Sequence, residues 1–329
     1  MTNLDPHPDE QVCAAGPAAD VELVEPRDVP LGGPRAMTVR RTLPSRARSL
    51  VGPFCFADHY GPDDVAATGG MDVPPHPHTG LQTVTWLFEG AVLHRDALGS
   101  EQVVEPGQLN LMTAGRGICH SEEATPALFP DRPVLHGVQL WTALPESARH
   151  GERAFDHVAD VPTFTLDGAV VRVFMGALGG VASPARAHTP LVAAQVDLPA
   201  GARVTLPVDA SFEHGVLVDT GDLRFEGHDV APSWLAYAPP GRDVLALEAG
   251  DTPVRAVLIG GTPFTEPVLM WWNFVGRTHD EVVEARAQWQ AAIAGGTDGL
   301  GRFGEVQGYD GPALPAPELP NVRLQARER

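Results

Sequence analysis

With 329 residues, 43% of them apolar, the chain is long enough for about two ordinary domains, each with its own core. Its 42 acidic side chains against 23 basic ones, every one of them arginine, leave a formal charge of -19 with no basic stripe, which argues against direct nucleic-acid binding and removes any lysine Schiff base. No apolar run reaches the length of a membrane span, the N-terminal MTNLDPHPDE is acidic where a signal peptide is basic, and Cys13, Cys55 and Cys119 are too scattered for a disulfide framework, so a cytoplasmic protein is expected.

Residues 1–35, rich in Pro, Asp, Ala and Gly, read as a flexible lead-in with one strand near Val21 to Val24. From residue 36 the texture changes. MTVRRTLP and VGPFCFADHYGP read as strands, and so do LQTVTWLFEG, AVLHRD, EQVVE, QLNLMTA, ICHSEEA and VLHGVQLWTALP, each bounded by Gly or Pro. Many short strands at close intervals predict an all-β barrel or sandwich over 36–145. Residues 146–188 read as a connector and seam. Over 189–275 the strand pattern returns, and WLFEGAVLHRD resembles VLVDTGDLRFEG closely enough to suggest a second, degenerate copy of the first barrel. A capping box, Thr278 to Glu281, opens a helix within 276–296 whose stripe is Val282, Ala285, Trp289 and Ile293. Residues 297–329 are expected to form a flexible tail.

Chemistry concentrates between Pro75 and Glu123. In a strand alternate side chains share a face, so PPHPHTG puts His76 and His78 together and GRGICHSEE puts His120 with Glu122. On facing strands of a small barrel the two pairs would converge on one point. Three imidazoles and a carboxylate suit one divalent transition metal, most naturally iron(II), with Mn, Ni, Cu or Zn as alternatives. The competing reading is four barrel-wall residues with ordinary hydrogen bonds. Counting by twos from His78 places Gln82, Val84, Trp86 and Phe88 on the ligand face and Thr83 and Thr85 outside. The second copy has only His214 at the corresponding place, so metal chemistry is expected in the first barrel alone. His59, His94 and His136, outside the paired spacing, read as structural hydrogen-bond partners.

These segments resemble the pirin family of bicupins, nearly continuously from about Arg40 to Pro145 and more loosely through EPVLMWWNFVGRTHDEVVEARAQW. The resemblance implies two cupin barrels facing each other, the N-terminal one holding a single metal, usually iron(II), through His76, His78, His120 and Glu122. It also marks departures: the family commonly has Arg and Glu where this chain has Thr79 and Gln82, and a small aliphatic residue where it has Cys119. By the alternation count Gln82 would lie beside the metal ligands, where an amide in place of a carboxylate leaves a metal more electrophilic. Cys119, one residue before a ligand, should point away as a packed thiol.

The resemblance implies two functions. One is a dioxygenase of the flavonol-cleaving kind, acting on a small flavonol- or catechol-like aromatic, with Glu122 as ligand and proton acceptor. The other is a non-catalytic, metal-dependent or redox-sensing regulator that binds a protein partner. A monomer is expected in either case.

Overall fold

The structure is a computed structural model and describes residues 21–31, 37–295 and 298–326. Two barrels are each built from a larger and a smaller antiparallel sheet. In the first barrel the larger sheet has the strand order Ala154–Val158, Leu109–Thr113, Leu81–Glu89, Val134–Ala143, Phe54–Asp64, Met37–Leu43 and Arg27–Leu31. The smaller one runs Met71–His78, Ile118–Ala124, Val92–Asp96 and Glu101–Val104. The second barrel repeats the plan, with Glu213–Thr220, Val254–Gly261, Leu191–Leu198 and Ala169–Leu178 central in its larger sheet. Two cupin barrels are thus the architecture the resemblance implies, and the C-terminal helix His279–Ile293 is the one the capping box predicts.

The larger sheets meet across an apolar layer: Val84, Trp86, Leu111 and Leu140 on one side, Phe174, Leu217, Val257 and Ile259 on the other. Trp86 is fully buried, stacks on Phe174 at 4.5 Å and donates its indole N–H to Gln195 Oε1 at 2.8 Å. Truncating it removes one of the largest buried surfaces and orphans an amide, so Trp86→Ala should cost about 3–5 kcal/mol of stability. Denaturant titration checks this, read as a fall in midpoint.

The expected connector is not a separate linker. Its strand Ala154–Val158 pairs with Leu109–Thr113 in the first barrel and Ala169–Leu178 pairs with Leu191–Leu198 in the second, so the chain changes barrels inside 146–188. The expected lead-in lies mostly outside the described residues, but Glu22–Val24 is a strand and pairs with Leu235–Ala238 of the second barrel.

The flexible tail is a misreading. Pro and Gly made the segment look structureless, yet Phe303, Val306, Ala316 and Leu324 are buried against Trp272, Trp289 and the helix His279–Ile293. The Trp289 indole N–H donates to the Leu314 carbonyl, and the Leu314 N–H donates to the Pro75 carbonyl, each at 2.8 Å. Tyr309 donates to Asp72 at 2.7 Å. The segment after the second barrel therefore braces the first barrel's strand Met71–His78. Inside the helix the buried stripe is Val282, Ala285, Trp289 and Ala292, with Thr278 Oγ1 accepting from the Glu281 N–H as the cap.

Candidate metal centre

His76 and His78 share a face of Met71–His78, as period 2 requires, and His120 lies directly across from His76 on the neighbouring strand Ile118–Ala124. The two pairs sit on adjacent hydrogen-bonded strands of one sheet, not on facing walls. A bulge between His120 and Glu122 shifts their register against Met71–His78, so that Glu122 stands opposite Val73. The three imidazoles have no solvent exposure, and their ring centroids are 4.3, 4.9 and 5.0 Å apart.

What each ring does with its Nδ1 decides the chemistry. His76 Nδ1 meets the Pro74 carbonyl at 2.8 Å and His78 Nδ1 meets the Asn273 carbonyl at 3.2 Å. A carbonyl only accepts, so both rings carry their proton on Nδ1 and turn a bare Nε2 inward. Trp272, in the hairpin that presents the Asn273 carbonyl, has φ +52, a left-handed conformation unusual for a bulky residue and held here by full burial.

His120 reaches the same state through a relay. Asp96 Oδ2 lies 3.1 Å from His94 Nε2, and His94 Nδ1 lies 3.4 Å from His120 Nδ1. The carboxylate takes the His94 proton on Nε2, leaving His94 Nδ1 as an acceptor; His120 then donates from Nδ1 and its Nε2 is bare. Burial would raise the Asp96 carboxyl, but the His94 contact and the Leu98 and Ser100 N–H groups outweigh it and hold it below the usual carboxylate range.

All three Nε2 atoms are buried without a protein partner. Leaving one such acceptor unsatisfied costs about 1–3 kcal/mol. Burial depresses His76 to about 3, and burial with the neighbouring imidazoles takes His78 and His120 well below the usual value, so the rings stay neutral and proton release does not oppose metal binding. Barrel-wall histidines with ordinary hydrogen bonds would not show three converging bare nitrogens. The arrangement fits one divalent metal, and Glu122, with a carboxylate oxygen within 4.8 Å of ring nitrogens of both His94 and His120, completes an N/O donor set.

The alternation count fails at Gln82. Its amide donates to Thr113 Oγ1 and to the Arg186 carbonyl, both at 2.9 Å, and accepts from Thr142 at 3.2 Å. Trp86 and Phe88, on the same face, pack into the layer between the barrels. The physical reason is Gly80, at φ +69, where a Cβ would come within 2.2 Å of the Val275 carbonyl oxygen. There the chain leaves the smaller sheet for the larger one, and the phase of alternation does not carry through. Thr85 faces inward instead, with Oγ1 3.4 Å from Glu122 Oε1 and 3.1 Å from Gln139 Oε1. Gln82→Glu is accordingly expected to leave metal content unchanged and to lower stability by about 1–3 kcal/mol, because the donor to Thr113 and Arg186 is lost in a buried setting. Elemental analysis and denaturant titration on the one variant check both halves.

Cys119 is fully buried, and burial pushes its thiol up, so it is a packed, unreactive group. His94 stacks on Phe155 at 4.5 Å and orients His120, a role that its spacing did not announce. His59 and His136 lie at the seam and meet Asp219. On the wall opposite the ligands, Trp141 stands edge-on to His78 at 5.1 Å, and Tyr60 Oη, Trp141 Nε1, Asn110 Nδ2 and one end of the Gln139 amide are buried without protein partners.

Family models match the chain in two blocks, Pirin over residues 36–142 and the Pirin C-terminal cupin domain over 193–295. A Pseudomonas aeruginosa protein carrying the provisional name quercetin 2,3-dioxygenase is 42% identical over 300 residues, 91% of either chain. Rat pirin is 32% identical over 256 residues, 75% of this chain and 84% of its own. The crystal structure of a quercetin 2,3-dioxygenase from Acinetobacter baumannii superposes with a TM-score of 0.85 at 37% identity, covering 94% of this chain and 98% of that one.

Proposed function

Since this chain belongs to the pirin family, we propose that it is an iron(II)-dependent dioxygenase acting on a flavonol- or catechol-like aromatic. The observation that carries the reading is the convergence of three bare, buried Nε2 atoms beside Glu122, facing a wall of polar atoms that lack protein partners. His76, His78, His120 and Glu122 would hold the metal. When bound, the metal supplies Lewis acidity toward substrate oxygens and an electron source for dioxygen.

The chain's own groups do the rest. Glu122 is the one carboxylate of the donor set and takes the proton of the substrate hydroxyl, while Thr85 Oγ1–H is placed to donate to Glu122 Oε1. Tyr60, Asn110 and the Gln139 amide offer hydrogen bonds to a molecule bearing several oxygens, and Trp141 and Phe155 supply flat apolar contact. Enclosure of the centre, where every donor residue is at most 1% exposed, keeps bulk water from competing. Among the described residues no helix is long and apolar enough to cross a membrane.

The test is oxygen uptake by anaerobically iron-loaded protein given a panel of flavonols and catechols. Consumption that disappears in His76→Ala supports the reading. Full metal occupancy with no turnover of any panel member would sink it and leave the metal-dependent regulator.

A further inference from the structure

A second cluster of metal-binding side chains lies about the seam between the barrels. His59 and His136 come from the first barrel's strands Phe54–Asp64 and Val134–Ala143, and Asp219 comes from the second barrel's Glu213–Thr220. Asp219 Oδ1 is 2.7 Å from His59 Nε2 and 2.6 Å from His136 Nε2, and the two nitrogens are 3.2 Å apart. The three side chains are 2%, 5% and 1% exposed.

As a hydrogen-bond node this is crowded. Both N–H groups would have to reach one oxygen from directions only roughly 75° apart, short of the spread of its two lone pairs. As a cation site it is regular: with bonds of about 2.1 Å the same separations subtend roughly 75–100° at a shared ion, the face of an octahedron made by two histidines and one carboxylate. The surroundings have the form that supports ligands. Ser233 Oγ is 3.1 Å from His59 Nδ1, and Arg255 Nε donates to Asp219 Oδ2 at 2.5 Å while its guanidinium lies over Phe88 at 4.4 Å. Burial would raise the Asp219 carboxyl, but the two imidazoles and Arg255 hold it well below the usual range, so it is ionised throughout the neutral region.

We propose that His59, His136 and Asp219 form a second divalent-cation site, one that pins the two barrels together. It takes a first-row cation of the zinc or cobalt class. For His59 to bind through Nε2 its proton sits on Nδ1, where Ser233 Oγ accepts it. The site is independent of the proposed dioxygenase chemistry, because none of its three residues contacts the centre around His76.

Chelator-stripped protein titrated with cobalt(II) tests it by ion count and melting temperature. Two ions per chain are expected for the wild type, and one each for Asp219→Asn and His76→Ala. A wild type that takes one ion and loses it in His76→Ala, or an Asp219→Asn protein with wild-type stoichiometry, overturns the proposal. If Asp219→Asn does not fold, His76→Ala decides alone: it should keep one ion whose addition raises the melting temperature, and an ion count of zero overturns the proposal. One wild-type ion lost in Asp219→Asn but kept in His76→Ala would support the seam site while contradicting the metal centre.

Discussion

Replacing His76 by alanine is expected to weaken metal binding by at least about 100-fold, a loss greater than that from removing a group that merely supports a ligand. The imidazole is held in one tautomer by the Pro74 carbonyl, and no other described side chain offers a bare nitrogen in its place. The consequence reaches stability. A metal bound only by the folded state adds about 4 kcal/mol at a thousandfold excess over its dissociation constant, so metal addition should raise the wild-type melting temperature by more than that of the variant, which keeps only the seam ion. Elemental analysis after gel filtration and paired melting curves read the two effects. A variant that retains this metal with wild-type affinity would remove His76 from the donor set.

Asp96→Asn is expected to cost about 10–100-fold in metal affinity without removing a ligand. The carboxylate fixes the proton of His94 on Nε2, which in turn draws the His120 proton to Nδ1. An asparagine can turn its amide N–H toward His94 Nε2; His94 then carries its proton on Nδ1, pointing at His120, and His120 loses the partner that kept its Nε2 bare. The nitrogen chemical shifts of the His120 ring separate this effect from simple destabilisation: a mixture of tautomers in the variant supports the relay, and an unchanged His120 with weakened metal binding contradicts it.

The ligand spacing was legible because it is local. His76-x-His78 and His120-x-Glu122 each lie within one strand, where period 2 holds, and the chain's many short strands announced barrels. What the sequence hid was everything set by the path between strands. Gly80 carries the chain from one sheet to another, so counting onward from His78 put Gln82 inside and Thr85 outside when the reverse is true. His94 and Asp96 face Glu122 and His120 across a register that no spacing reveals. The segment 298–326 looked like a tail because its apolar residues are few and separated by Pro and Gly; Phe303 and Leu324 nonetheless complete a core already half built by Trp272 and Trp289. The seam cluster joins residues 160 positions apart in sequence, His59 and Asp219, and is visible only once the barrels face each other.

The most direct measurement is the fate of labelled dioxygen during turnover of a flavonol by the iron-loaded protein. A dioxygenase at the His76, His78, His120 and Glu122 centre places both atoms of 18O2 in the organic products. Release of labelled hydrogen peroxide, with unlabelled product, would contradict it.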